Sequence, residues 1–100
     1  MDNGRQTNIA QTGARCHLWV RGRVQGVGFR YFALQQAQRW GVAGWARNLP
    51  DGRVEIVAEG DIQALEEFVA SVRRGPAGAR VEEIRVEWEA PTNMHGFRVQ

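Results

Sequence analysis

Residues 15–47, RCHLWVRGRVQGVGFRYFALQQAQRWGVAGWAR, change their hydrophobic period twice. Apolar and polar side chains alternate over residues 15–22, which is typical of a half-buried strand. A glycine-punctuated turn follows over residues 22–28. Apolar side chains then recur at helical spacing over about residues 28–40, which predicts a helix that ends before the next glycine. Residues 42–47 predict a second strand, so this stretch forms a strand–helix–strand unit.

The next part of the chain predicts a hairpin and a second helix. Residues 48–52, NLPDG, are turn residues, and the alternation over residues 53–58 completes a hairpin with the preceding strand. Asp61 follows Gly60 and is the expected N-cap of a helix that Gly75 ends. The apolar stripes of the two helices are the candidate core: Phe29, Phe32, Ala33, Ala37 and Trp40 in the first, and Ile62, Leu65, Phe68, Val69 and Val72 in the second.

Two strands complete the predicted fold. Apolar and charged residues alternate over residues 84–89, and Phe97 and Val99 allow a short fifth strand. The order is β-α-β-β-α-β, which predicts an α+β ferredoxin-like sandwich, with one antiparallel sheet and both helices on one of its faces. We expect the domain to occupy residues 15–100, behind a polar, disordered leader of residues 1–14.

Composition limits the class of protein. The chain has 100 residues, of which 43% are hydrophobic, and a net charge of +2, which suits one globular domain. Its N-terminus has no apolar signal segment, and its apolar stretches are far shorter than the roughly 20 residues that span a bilayer. The single cysteine cannot form an internal disulfide, and no Cys/His set or carboxylate cluster has metal-binding spacing. We therefore expect a cytoplasmic protein without membrane contact, metal or other cofactor, and nothing in the sequence demands more than a monomer.

The basic residues exclude some chemistry and favour an anion site. All 13 are arginines, so Schiff-base lysines and the lysine of P-loop nucleotide hydrolases are absent. Residues 1–50 hold seven arginines and one acidic residue, whereas residues 51–100 hold six arginines and ten acidic residues. The arginine guanidinium grips phosphate or carboxylate in a fork. An anion-binding site is therefore expected in the first half of the chain.

The turn of residues 22–28 is the candidate anion site. Its three glycines allow backbone N–H groups to point inward, with a helix N-terminus behind them, and Arg30 can reach over the same cradle. The turn does not fit the dinucleotide-binding fingerprint, because Tyr31 stands where that motif needs a glycine. A turn that merely joins a strand to a helix explains these residues equally well. The loop by itself therefore leaves both interpretations open.

Two blocks of sequence resemble the signatures of one enzyme family. Residues 22–30, GRVQGVGFR, and residues 44–55, GWARNLPDGRVE, are similar to the two signatures of acylphosphatases and occur in the same order. The resemblance covers about residues 15–100. It implies the ferredoxin-like fold and hydrolysis of the carboxyl–phosphate bond of small acyl phosphates to carboxylate and inorganic phosphate. Ala46 and Pro50 depart from the family pattern, and neither belongs to a group with an implied chemical role.

The resemblance also implies roles for individual residues. Arg30 would bind the substrate phosphate, and Asn48 would position the attacking water. The backbone of the preceding loop would aid Arg30 through the implied substrate-binding residues Gln25, Gly26, Val27, Gly28 and Phe29. These groups suffice chemically, because a carboxylate is a good leaving group and phosphoryl transfer depends on positioning and electrostatic stabilisation.

Other polar and aromatic residues have structural interpretations. His17 and His95 fall in no motif, and the four tryptophans are expected to pack in the core or on a sheet face. Arg23 and Arg47 flank the expected site. They are expected to be solvated surface residues, with a role in attracting an anionic substrate as the alternative.

Two other functions compete with the enzyme. A ferredoxin-like sheet can bind single-stranded nucleic acid by stacking bases on exposed aromatic residues, and Trp19 and the arginines favour that function. The outward residues of the third strand, Arg53, Glu55 and Val57, oppose it because none is aromatic. A catalytically silent regulatory module is the other alternative. The two signatures favour the enzyme, acting on a small acyl phosphate and not on nucleic acid.

Overall fold

The computed structural model describes residues 13–100. Its elements are β1 (Gly13–Arg23), α1 (Phe29–Trp40), β2 (Ala43–Asn48), β3 (Val54–Asp61), α2 (Ile62–Arg74), β4 (Arg80–Glu89) and β5 (Phe97–Val99). This order confirms the ferredoxin-like α+β fold and its fifth strand. Residues 1–12 of the predicted leader lie outside the described residues. Gly13 and Ala14 belong to β1, which begins two residues before the predicted start.

The five strands form one sheet in the order β4-β1-β3-β2-β5. The four long strands pair antiparallel, as predicted. The short β5 differs, since it pairs parallel with β2 and places Phe97 opposite Gly44. The expected all-antiparallel sheet is therefore wrong at this edge. The connection over residues 90–96 carries the chain from the β4 edge to the opposite edge, where it runs in the same direction as β2.

The core lies between the sheet and the two helices. In β1, Cys16, Leu18 and Val20 are completely buried, in keeping with the alternation of the sequence. The helices add the following buried apolar side chains: Phe29, Ala33 and Ala37 from α1, and Leu65, Phe68, Val69 and Val72 from α2. Ile62 was expected in this core and is exposed instead, because it is the first residue of α2. Trp88 is also exposed, near the end of the edge strand β4.

The two helices begin in different ways. The Asp61 carboxylate accepts hydrogen bonds from the backbone N–H groups of Gln63 and Ala64, which confirms the predicted N-cap of α2. The N-cap of α1 is Gly28, which has no side chain to accept such bonds. The first turn of α1 therefore presents backbone N–H groups without a side-chain cap. Neither helix of the described chain is long and apolar enough to cross a membrane.

Candidate active site

A cavity of about 170 Å³ lies where the turn after β1, the start of α1 and the end of β2 meet. Its walls are formed by Val24, Gly26, Gly28, Phe29, Arg30, Tyr31, Asn48 and Val99. Five of the seven predicted site residues belong to this set, and the structure brings the two signatures together around one space. Gln25 and Val27 do not line the cavity. Val27 is half-buried and packs against the core.

The backbone of the turn is shaped by glycine. Gly26 and Gly28 have φ values of 76° and 77°, in the left-handed region that side chains other than glycine seldom adopt. Gly28 is also the N-cap of α1, so the turn leads directly into the helix N-terminus. The first turn of α1 contains no acidic residue. The positive end of the helix dipole is therefore not neutralised by the helix itself and can attract an anion.

Gln25 connects this turn to the β2–β3 turn. Its side-chain Nε2 donates hydrogen bonds to the carbonyl oxygens of Leu49, at 2.8 Å, and Arg53, at 2.9 Å. Asn48 directly precedes Leu49 in the chain. The Gln25 side chain thus fixes the distance between the glycine-rich turn and the part of β2 that carries Asn48.

Arg30 is half-buried in the first turn of α1, and its Nη1 donates a hydrogen bond of 2.6 Å to the main-chain oxygen of Gln100. The residue before Gln100, Val99, lines the cavity from β5. Gln100 is held in turn by its backbone N–H, which donates to the oxygen of Ala46 in β2 at 2.9 Å. The residue that follows β5 therefore orients the guanidinium.

Asn48 is the last residue of β2 and is exposed. It pairs with Val54 of β3, and the strand alternation turns it away from the face that carries Arg47. Arg47 lies on the open face of the sheet, where its Nε donates to a Glu55 carboxylate oxygen at 2.6 Å. Arg47 does not line the cavity. Neither does Arg23, which lies at the end of β1 beside Arg80.

The histidines lie away from the cavity. His17 is on the open face of the sheet, with its Nε2 2.7 Å from a Glu55 carboxylate oxygen and its ring stacked on Trp19. Burial alone would raise the pKa of Glu55, but hydrogen bonds from His17 and Arg47 outweigh burial and lower it. His95 is exposed in the β4–β5 connection.

The cysteine and the serine are both buried in the core. Burial, with the nearby charge of Glu89 as a second cause, raises the pKa of the Cys16 thiol to about 12. Cys16 therefore stays protonated near neutral pH and is not a nucleophile. The Ser71 hydroxyl donates to the carbonyl oxygen of Glu67 one turn earlier in α2, at 3.0 Å. Among residues 13–100, no group of three His, Cys, Asp or Glu side chains is placed to hold a metal ion.

Comparison with known proteins identifies the family. The sequence model of the acylphosphatase family matches residues 16–99, which is most of the chain. The chain belongs to the acylphosphatase family. It is accordingly an acyl phosphate hydrolase, as the two signatures implied.

Individual acylphosphatases are similar to this chain along most of their length. The acylphosphatase of Thermus thermophilus is 52% identical over 80 residues, which cover 80% of this chain and 91% of that protein. The acylphosphatase of Thermococcus kodakarensis is 49% identical over 85 residues, covering 85% and 93% of the two chains. The crystal structure of the acylphosphatase from Bacillus subtilis superposes with a TM-score of 0.85 at 42% identity, covering 87% of this chain and 98% of that one. The comparison of structures and the comparison of sequences therefore point to the same family.

Four residues at the acylphosphatase site were not predicted from the sequence. Val24 lies inside the first signature, and Tyr31 directly follows it, so their positions in the chain could have suggested them. Val99 and Gln100 reach the site only because β5 pairs with β2. The local sequence of a three-residue strand carries no sign of that pairing.

Proposed function

We propose that Arg30 and the glycine-rich turn hold the phosphate of a small acyl phosphate while Asn48 positions the water that attacks it. The observation that carries this proposal is the shared cavity, in which the Arg30 and Asn48 side chains and the uncapped N-terminus of α1 face one space. Charged donors and a water-orienting amide then act on the same bound group.

The placement of Arg30 supports an anion in the cavity. A cation in the first turn of a helix is unfavourable by about 0.3–1 kcal/mol, because it lies at the positive end of the helix dipole. A phosphate between the guanidinium and the helix N-terminus converts that repulsion into two attractions. The hydrogen bond to Gln100 uses one of the five N–H donors of the guanidinium and leaves the others available for phosphate oxygens.

The proposed chemistry is a direct displacement at phosphorus. The water oxygen attacks phosphorus, the bond from phosphorus to the acyl oxygen breaks, and the bonding electrons leave with the carboxylate. The Asn48 side-chain oxygen accepts a hydrogen bond from the water, and the water proton passes to the phosphate or to solvent. Negative charge on the equatorial oxygens is stabilised by Arg30 and the backbone N–H groups of residues 25–29. The protonated, buried Cys16 and the hydrogen-bonded Ser71 support this route over one with a covalent intermediate.

The test uses benzoyl phosphate hydrolysis, with a chelator present because the proposal requires no metal. Arg30→Ala and Asn48→Ala should each lower kcat/KM by about 100- to 1000-fold, the usual cost of removing one well-placed transition-state donor. Arg39→Ala is the matched control, since Arg39 lies on the same helix with its guanidinium over Trp40. Near wild-type turnover in either site variant, or loss of wild-type turnover with the chelator, would contradict the proposal.

The open face of the sheet supports a small-molecule substrate and no nucleic acid. Trp19 is covered by the His17 ring, at 3.8 Å between centroids, and by the Arg85 guanidinium at 5.2 Å. Arg47 and Arg15 on the same face are paired with Glu55 and Glu59, so these guanidinium groups are already engaged and offer less to a polyanion. We propose that the protein acts as a cytoplasmic monomer. Size-exclusion chromatography tests the monomer, and titration with single-stranded RNA at low salt should show no binding.

A further inference from the structure

The mouth of the cavity carries exposed apolar side chains. Four large apolar residues of the described chain are conspicuously exposed: Tyr31 at 61%, Trp88 at 51%, Val99 at 43% and Ile62 at 39%. Two of these four, Tyr31 and Val99, line the cavity, although they come from α1 and β5, far apart in the sequence. Ile62 and Trp88 do not line it. Two exposed apolar side chains therefore border the cavity that is proposed to bind the phosphate.

The residues that line the cavity form a polar set and an apolar set. The polar set is Arg30, Asn48 and the glycine backbone, and the apolar set is the exposed Tyr31 and Val99 with the buried Val24 and Phe29. An acyl phosphate has the same division, with an anionic phosphate at one end and the acyl group at the other. When the phosphate binds at Arg30, the acyl group remains near the exposed apolar side chains.

We propose that Tyr31 and Val99 form the acyl-group subsite and that the enzyme favours acyl phosphates with an aromatic or other apolar acyl group. This inference rests on the proposed phosphate site. Apolar contact with the acyl group removes the exposed faces of both side chains from water, and an aromatic acyl group adds a ring contact with Tyr31.

The charge of the cavity lining points to the same substrate class. Arg30 is the one charged side chain among the residues that line the cavity in the described chain, and it is assigned to the phosphate. An acyl group that carries a second anionic group finds no further cation there. Such a substrate loses hydration of that group without gaining a partner, so it is disfavoured.

Loss of the contact between Tyr31 and the acyl group should raise KM more than it lowers kcat. The acyl group touches Tyr31 before and during the reaction, so its contact stabilises bound substrate and transition state alike. An aromatic contact of this kind changes binding by about 2- to 10-fold. A group that only positions Arg30 would instead change the hydrolysis of every acyl phosphate by the same factor.

The experiment compares kcat and KM for benzoyl, acetyl and succinyl phosphates, the last carrying a free carboxylate. Tyr31→Ala should lower the benzoyl-to-acetyl ratio of kcat/KM by about 2- to 10-fold, chiefly through KM for benzoyl phosphate. Tyr31→Phe should restore the ratio. Val99→Thr, which keeps the shape but adds a hydroxyl, should lower it by about twofold. Ile62→Ala is the control, because Ile62 is exposed but lies off the cavity.

The outcomes separate the two proposals. If the wild type hydrolyses none of the three substrates, the phosphate site fails. If it hydrolyses them and Tyr31→Ala leaves the benzoyl-to-acetyl ratio unchanged, or lowers both substrates equally, the acyl-group subsite is overturned. A wild type that prefers succinyl phosphate also overturns it.

Discussion

Gln25 shows how one side chain joins the two halves of the site. Its amide donates to two carbonyl oxygens of the β2–β3 turn, at Leu49 and Arg53. Gln25→Met keeps the length of the side chain and removes both donors, so each carbonyl oxygen keeps only its backbone hydrogen bond, from Gly52 to Leu49 and from Leu49 to Arg53. The free energy of unfolding should fall by about 1–3 kcal/mol. Because small displacements of catalytic groups are costly, kcat/KM for benzoyl phosphate should fall at least about tenfold.

Urea unfolding and steady-state kinetics measure these two effects. Gln38→Met is the matched control, since Gln38 is exposed on α1 and should leave both quantities unchanged. Equal stability and activity of Gln25→Met and the wild type would show that the turn holds its shape without this contact. The resemblance implied only that Gln25 belongs to the substrate-binding loop. Its two acceptors lie 24 and 28 residues away, so neither the local pattern nor the motif indicates these hydrogen bonds.

Gly44 shows why β2 can lie so close to β3. Its φ is +149°, and a Cβ atom there would lie 1.8 Å from the Val57 carbonyl oxygen. Gly44→Ala must therefore displace backbone as well as adopt a strained conformation. We expect a loss of about 3 kcal/mol or more, which corresponds to a fall in Tm of at least about 10 °C for a domain of this size. Gly13→Ala in β1 is the control, because a Cβ there meets nothing within 4 Å.

Thermal unfolding followed by circular dichroism decides this prediction, and equal Tm values for the two alanine variants would refute it.

At the level of elements, the hydrophobic period was sufficient to predict both helices and the four long strands, because that period is a local property of the chain. Element ends were less predictable. The strand β3 runs on to Asp61 although Gly60 signalled a break, and β4 begins at Arg80, four residues before the alternation became clear. The direction of β5 depends on its long-range pairing with β2.

At the level of the whole molecule, the connection from β4 to β5 is fastened to the sheet through Glu59. This carboxylate is only 5% exposed. It accepts hydrogen bonds from the backbone N–H groups of Thr92, at 2.9 Å, and Met94, at 3.0 Å, as well as from the Thr92 hydroxyl and the Arg15 guanidinium. Continued by one step, the alternation that places Arg53, Glu55 and Val57 outward also places Glu59 on the face away from the helices. It could not predict burial, because the covering segment is more than 30 residues away.

The Glu59 contacts predict a specific loss of stability in acid. Burial alone would raise the pKa of Glu59, but the hydrogen bonds from Met94, Thr92 and Arg15 outweigh burial and lower it to about 2. A carboxyl group whose pKa is lower in the folded chain stabilises the fold above its unfolded pKa, about 4.3, and this contribution disappears as pH falls towards 2. Glu59→Gln should therefore lower the free energy of unfolding at pH 7 by roughly 2–3 kcal/mol.

The difference between Glu59→Gln and the wild type should shrink as the pH falls from about 5 to 2, because protonation removes the same charge from the wild type. Urea unfolding at several pH values measures this, with Glu66→Gln on the exposed side of α2 as control. Parallel pH profiles would contradict the assignment.

The β4–β5 connection leads into β5, and Gln100, directly after β5, holds Arg30. Weakening the attachment of this connection by Glu59→Gln should therefore also lower kcat/KM for benzoyl phosphate at pH 7. The Glu66→Gln control should leave kcat/KM unchanged, so a loss confined to Glu59→Gln would link the β4–β5 connection to the active site.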